Sequence, residues 1–332
     1  MAGRHGPRAP GRAGSAAVQE RFATWFPGEQ LITVDRAGEI AVHFDALGPQ
    51  RPATCGAYAL SYLLPAIGFT THEGSDLAAE DYLAHLAAVI VEAEEVGPSD
   101  EISRRVAAGE LSEDEALRRF GRTWYRFPVR ASADPVESGT SPTGVARAIA
   151  LGTGGALGCV PIASRAADGA TQLKPERWEQ LLELLADHVA DWRWHAILNY
   201  EANQLLRPAD TRYRPENLRA INAAELIPRD DWGVGHFAGL LGLWQRRVDG
   251  AWWLLLLDTY KERGFEGYQP QPAEMVRRAL VREDGRGGGM LLVLPRAVLE
   301  PATEALRRLG IEPRAWSNGS PEPDNWTWRP VA

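Results

Sequence analysis

Two apolar runs joined by a tight turn constrain this chain more than any other feature. The first is His236-Phe-Ala-Gly-Leu-Leu-Gly-Leu-Trp244 and the second is Ala251-Trp-Trp-Leu-Leu-Leu-Leu257. Val248-Asp249-Gly250 lies between them, and Asp-Gly is a strong short-range hairpin signal because both residues tolerate positive φ. Two antiparallel strands are therefore expected here. Further strands are expected at Leu31–Val34, Glu39–Phe44, through Cys159, at Trp194–Tyr200 and at Gly289–Leu294. Helices are expected at Gln19–Phe26, Cys55–Leu64, Ser75–Val96, Glu101–Phe120, Pro175–Asp191, Pro272–Leu280 and Glu300–Gly310. Ser141 and Pro142 suit the N-cap and first position of another helix. Strands gathered late, after a helical first half, predict an α+β fold.

The hairpin has a chemical consequence. His236 begins its first strand and Asp258 follows directly on its second. In an antiparallel pair the start of one strand lies beside the end of the other, so the two side chains meet without any long-range assumption. A carboxylate beside an imidazole sets its tautomer and orientation, which is what a general base needs. A nucleophile for that base is supplied by Gln50-Arg-Pro-Ala-Thr-Cys55-Gly56-Ala-Tyr-Ala-Leu60. Here a polar stretch runs into an apolar helix, with Thr54 placed to cap it and Cys55 in its first turn. Unpaired N–H groups and the positive end of the helix dipole favour a thiolate there. Gln50 and the Cys55 N–H are candidate oxyanion donors. Gly233 and Gly235 flank His236 and allow close approach.

In this order, Gln, Cys-Gly heading a helix, Gly-His-Phe on a strand and a strand ending in Asp, the chain resembles the papain-like cysteine peptidases. Among them it is most similar to the bacterial C39-like peptidases. The matching pieces are Gln50, Cys55-Gly56, Gly235-His236-Phe237 and Leu257-Asp258, with Gly139-Thr-Ser-Pro-Thr-Gly-Val similar to a loop-helix entry of that group. The resemblance implies a papain-like fold, with Cys55 as nucleophile, His236 as general base and acid, Asp258 as its orienting partner and Gln50 lining the oxyanion hole. It also implies a peptide or amide substrate cleaved through a thioester. Gln50 stands five positions before Cys55, where the family usually has six. The helical stretch 75–120 and the polar excursion 207–231 are large for the family. An acyltransferase of transglutaminase type would use the same groups. A non-catalytic binding protein could use the tryptophans, especially Trp232, Trp252, Trp253, Trp326 and Trp328.

Composition narrows the alternatives. The 332 residues carry a net charge of −8 and offer no basic surplus for phosphates, which argues against nucleic-acid binding. The two cysteines, Cys55 and Cys159, exclude a disulfide framework, and Cys159 reads as a small buried hydrophobe. His72, His85 and His195 read as exposed, packed or structural. The glycines of 152–158 lack the Gly-Lys-Ser/Thr of a phosphate loop, no dinucleotide fingerprint fits, and no His-Glu-x-x-His occurs, so neither cofactor nor metal is expected. No apolar run is long enough for a membrane span and residues 1–17 lack the apolar core of a secretory signal. They are expected to be a disordered leader to a cytoplasmic protein, followed by one domain over 18–312 and an irregular tail over 313–332.

Overall fold

The Asp249-Gly250 turn closes the hairpin. Arg246 N–H donates to the Ala251 carbonyl at 2.9 Å, and Gly250, at φ +71°, donates back to Arg246 at 2.8 Å. The computed structural model describes residues 12–96, 99–206, 235–261, 264–282, 285–324 and 326. Gly233, Trp232, Trp328 and the excursion 207–231 lie outside these residues.

The chain is α+β. The principal strands are β1 (Ile32–Thr33), β6 (Leu157–Ala163), β7 (His195–Glu201), β8 (Gly235–Gln245), β9 (Trp252–Asp258), β10 (Tyr268–Pro272) and β11 (Gly289–Pro295). They form a seven-stranded sheet in the order β10-β9-β8-β7-β11-β6, entirely antiparallel. A bulge between Leu240 and Gly242 divides β8. Before it β8 pairs with β7, and after it the short β1 takes that side. Two small two-stranded pieces, β2 (Thr71–His72) with β3 (Ser75–Asp76) and β4 (Ile90–Glu92) with β5 (Arg130–Ser132), stand apart.

Helix α1 (Arg12–Trp25) docks on the sheet through an aromatic cluster. Phe22 meets Trp244 edge-on at 4.9 Å between centroids, and Trp244 packs on Trp253 at 5.6 Å. The helix begins at Arg12, earlier than the expected Gln19; Val18, Phe22 and Phe26 supply an i, i+4, i+8 stripe that the sheet buries. Helix α2 (Ala37–Ala46) replaces the expected strand at 39–44. Ile40, Ala41 and Phe44 face the core while Val42 is 68% exposed, a helical spacing that short-range alternation imitates.

Helix α3 (Cys55–Ala66) is buried along its whole length. Pro65 sits inside its last turn, one position later than its expected end. The expected single helix over 75–96 is broken into α4 (Glu80–Leu86), β4 and α5 (Ala93–Val96). Ala88, at φ +51°, marks the break. Helices α6 (Ser99–Ala107) and α7 (Glu113–Phe120) form a charged insertion with its own small core of Ile102, Leu111, Ala116 and Trp124. Helix α8 (Pro142–Gly152) starts as expected, Ser141 Oγ accepting from Gly144 N–H at 3.0 Å. Helices α9 (Pro175–Asp187), α10 (Val189–Trp192), α11 (Ala273–Val281) and α12 (Leu299–Arg308) complete the fold. Strand β10, with two prolines in five residues, was not expected; it is tolerated because β10 is an edge strand. No helix among the described residues is long and apolar enough to cross a membrane.

The irregular C-terminal segment is tied down. Trp316 Nε1 donates to Asn199 Oδ1 at 3.0 Å, and Asn318 Nδ2 donates to the Thr140 carbonyl at 2.9 Å.

Candidate active site

The register of the central strands sets the site. Tyr200 lies directly opposite His236 across β7 and β8, and Asp258 lies opposite Ala238 across β8 and β9. Side chains two apart share a face, so Tyr200, His236 and Asp258 point the same way. His236 Nε2 meets Asp258 Oδ1 at 3.0 Å with both side chains buried. The two residues that follow Asp258 also hold the ring: Thr259 Oγ1 lies 3.2 Å from Nε2, and Tyr260 stacks on the imidazole at 5.2 Å between centroids. Sequence reasoning named neither residue.

Asp258 is held in turn. Tyr260 N–H donates to Oδ1 at 2.8 Å and Gln269 Nε2 donates to Oδ2 at 2.6 Å. Gln271 Nε2 lies 3.4 Å from Gln269 Oε1 and 3.1 Å from the Leu206 carbonyl, while Gln271 Oε1 accepts from Leu206 N–H at 3.0 Å. Both glutamines are buried on β10. The alternation of Gln269 and Gln271 on one strand face is the available signal, masked by the two prolines of β10.

Cys55 arrives from the other side, at the start of α3. The helix is fixed across β8 by Tyr62, whose hydroxyl accepts from Gly239 N–H at 3.0 Å. A Cβ on Gly239 would stand 2.4 Å from that oxygen, so only glycine permits the approach. Gly56 serves the helix's other neighbour, since a Cβ there would meet Val145 at 2.8 Å and Thr140 at 3.0 Å. The Cys55 thiol is hydrogen-bonded to His236. With Nε2 turned to Asp258, Nδ1 is the ring nitrogen left for sulfur.

Electrostatics follow from this chain of contacts. Burial alone would lower the His236 pKa, but the Asp258 charge and hydrogen bond, with a smaller contribution from Cys55, raise it to about 9. His195, on the adjacent strand, lacks a bonded carboxylate; burial takes it down to about 4 and its Nδ1 has no partner, consistent with a structural histidine. Cys159 is held as a thiol by burial.

The loop before Cys55 is braced from outside. Ala53 sits at φ +57°, a left-handed conformation that costs a non-glycine residue on the order of 1 kcal/mol. Arg51 Nη1 donates to the carbonyls of Gly121, Arg122 and Trp124 at 3.2, 2.8 and 2.6 Å, joining the loop to the α6–α7 insertion. Thr54 does not cap α3 with its side chain, contrary to expectation. Its hydroxyl turns instead to the Arg51 carbonyl at 2.8 Å and to the Glu80 carboxylate, which also accepts Arg51 N–H at 2.8 Å. Burial raises Glu80 to about 7 against the pull of those donors. Side-chain capping is sacrificed to hold the loop that carries Gln50.

Gln50, Cys55 and His236 line one cavity of about 350 Å³, together with Tyr260, Thr140 and Asn318. Gln50 is buried, its Oε1 without a partner. The Cys55 N–H, in the first helical turn, has no intrahelical acceptor. All four residues singled out from the sequence thus converge, three through direct contacts and Gln50 through the shared cavity. His72, expected to be exposed and alone, is half-buried and bonded through Nδ1 to Tyr82 Oη at 2.7 Å. Trp253 is core, which removes it from any ligand surface. Among the described residues no group of three or more His, Cys, Asp or Glu side chains is placed to hold a metal ion.

A family model described as a family of unknown function, DUF6885, matches residues 34–317. The chain belongs to that family. No curated protein matches it.

Proposed function

We propose that this member of the family is a thiol hydrolase of papain-like type, acting on a peptide or amide bond. The observation that carries the reading is the continuous chain Cys55–His236–Asp258, opening into a cavity that Gln50 also lines. The Cys55 sulfur attacks the substrate carbonyl carbon, and the oxygen takes the negative charge beside the Cys55 N–H and the Gln50 amide. His236, as imidazolium, protonates the leaving nitrogen as the C–N bond breaks, which leaves a thioester. His236, now neutral, takes a proton from water as that water attacks the thioester, and sulfur departs as thiolate. Asp258 keeps the ring oriented and favours its charged form throughout. The same thioester intercepted by an amine would make the chain an acyltransferase.

The test is alkylation by iodoacetamide read by mass spectrometry. Cys55 and Cys159 are both 8% exposed, so accessible area does not separate them. Their surroundings do: sulfur beside an imidazole against sulfur in an apolar strand. Cys55 is expected to label selectively, and to lose that selectivity in His236→Ala. Equal, slow labelling of both cysteines, unchanged by His236→Ala, would refute the reading.

A further inference from the structure

The cavity around Cys55 is walled on one side by two carboxylates that form no salt bridge among the described residues. Glu92 ends β4 and Glu95 lies in the next turn, and both line the cavity with Cys55 and His236. The wall is joined to the nucleophile's helix by backbone. Ile90 of β4 exchanges hydrogen bonds with Gly139 at 2.7 and 3.1 Å, and the next residue, Thr140, packs against Gly56. Arg122 acts on Glu95 through its charge and Arg286 lines the same cavity, but the side chains of the nearby arginines are largely engaged elsewhere. Arg51 is spent on three carbonyls, Arg126 on Asp81 and Glu113, and Arg286 lies over Gly319 of the C-terminal segment. Burial, and after it the charge of Glu92, raise the Glu95 pKa, and the opposing charge of Arg122 does not offset them.

A second observation points the same way. Three polar oxygens of this cavity are shut away from water without a partner: Glu95 Oε2, Gln50 Oε1 and Thr140 Oγ1. Thr140 is only 1% exposed. Buried polar atoms are almost always hydrogen-bonded, and all three can accept a hydrogen bond. No described residue supplies a donor to these three acceptors, and a ligand that satisfies them beside two carboxylates must bring donors and is favoured by positive charge. A protonated nitrogen does both; an apolar side chain does neither.

We infer that the cleft binds a cationic nitrogen, ammonium or guanidinium, with Glu92 and Glu95 as its counter-charges. The inference rests on the thiol-hydrolase reading and deepens it. The cation belongs either to a basic side chain of the peptide substrate or to an amine that accepts the acyl group. In the second case the ammonium gives one proton to water, the neutral amine attacks the thioester carbon and passes a second proton to His236, and the C–S bond breaks to leave an amide and the Cys55 thiolate.

The experiment compares the full-length protein with Glu92→Gln/Glu95→Gln, which keeps side-chain size and one acceptor oxygen at each position but removes the charge. Fluorogenic peptidyl amides differing only as arginine or citrulline test the side-chain source. A neutral peptide ester with cadaverine or with water alone tests the acceptor source, its amide product read by mass spectrometry. Support is at least a tenfold preference for arginine over citrulline, or amide formation with cadaverine, falling toward parity or loss in the double variant. A third measurement is independent of turnover: modification of Cys55 by trimethylammonioethyl and sulfonatoethyl methanethiosulfonates. The cationic-to-anionic rate ratio should fall at least fivefold in the double variant. Hydrolysis without charge preference, with that ratio unchanged, would overturn the inference and leave the hydrolase standing. Absence of all turnover, with Cys55 labelling indifferent to His236→Ala, would remove the hydrolase reading, and the reagent ratio would still decide whether the carboxylates act on the cleft.

Discussion

The charge of Asp258 is what separates His236 from an ordinary buried histidine, and Asp258→Asn tests this directly. The substitution keeps the side chain's size and a carbonyl oxygen near Nε2 but removes the anion. Asp258 and Cys55 together raise His236 from 6.5 to about 9 against the effect of burial, about 3 kcal/mol in favour of imidazolium at ~1.4 kcal/mol per pKa unit. His195 is an internal reference, for with no bonded carboxylate burial takes it to about 4. Because Cys55 also contributes to the shift of His236, the clean background is Cys55→Ala, in which Asp258 alone raises it. There His236 should still titrate well above 6.5, and adding Asp258→Asn should bring it below 6.5. The assay is a pH titration of the imidazole resonances by NMR, with His236 assigned by its loss in His236→Ala. In the wild type, hydrolysis should fall as pH rises through about 9, where the proton donor to the leaving nitrogen is lost. In Asp258→Asn that fall should come at least about one pH unit earlier. Stability follows the same sign. The folded pKa lies above the unfolded one, so this group's contribution is full below pH 6.5 and lost as pH rises through about 9. A His236 that titrates at or below 6.5 with Asp258 present, or does not move when it is replaced, would refute the reasoning.

Three further outcomes are expected. Gly239→Ala places a methyl 2.4 Å from Tyr62 Oη; overpacking of this kind costs roughly 1–3 kcal/mol, read by urea denaturation, and should slow Cys55 alkylation by shifting α3 against β8. Gln269→Leu removes the donor 2.6 Å from Asp258 Oδ2 and leaves a buried charge short of a hydrogen bond, at a cost of about 1–3 kcal/mol; kcat should fall roughly tenfold with KM little changed, whereas a purely structural role would leave kcat alone. Asp81 is buried, which would raise its pKa, but the bidentate bond with Arg126 at 2.7 and 2.8 Å outweighs burial and lowers it. Its contribution is therefore present above the ordinary carboxylate pKa and lost as pH falls through the depressed folded value, and Asp81→Asn should cost roughly 3 kcal/mol at pH 7 and flatten the acid limb of the melting curve.

The residues that converge on the cleft came from two separate kinds of information. A hairpin is a local object: Asp249-Gly250 and the runs on either side determine that His236 and Asp258 meet, and the 3.0 Å contact between them follows from chain geometry alone. Ser141-Pro142 and the start of α3 are local in the same sense, since a cap and a first turn are built from neighbouring residues. Where tertiary contacts outweigh local preference, sequence reasoning went astray. Residues 39–44 alternate like a strand but coil into α2 because the space beneath Phe44 is filled by Tyr62 and Tyr268. The prolines of β10 hide an edge strand, and with it Gln269 and Gln271. Thr54 reads as a cap but is drawn to Glu80, which lies 26 residues away and is brought beside it only by the packing of α4 on α3. The charge of the cleft lies furthest from view. Glu92 and Glu95 are two acids among many in the sequence, and only the bridge from Ile90 to Gly139, with Thr140 against Gly56, brings them into one cavity with Cys55. Periodicity, turns and caps depend on neighbours along the chain, so the sequence by itself determined the strands of the candidate site and the helix start; which side chains surround the sulfur depends on neighbours in space, and only the tertiary structure decided that.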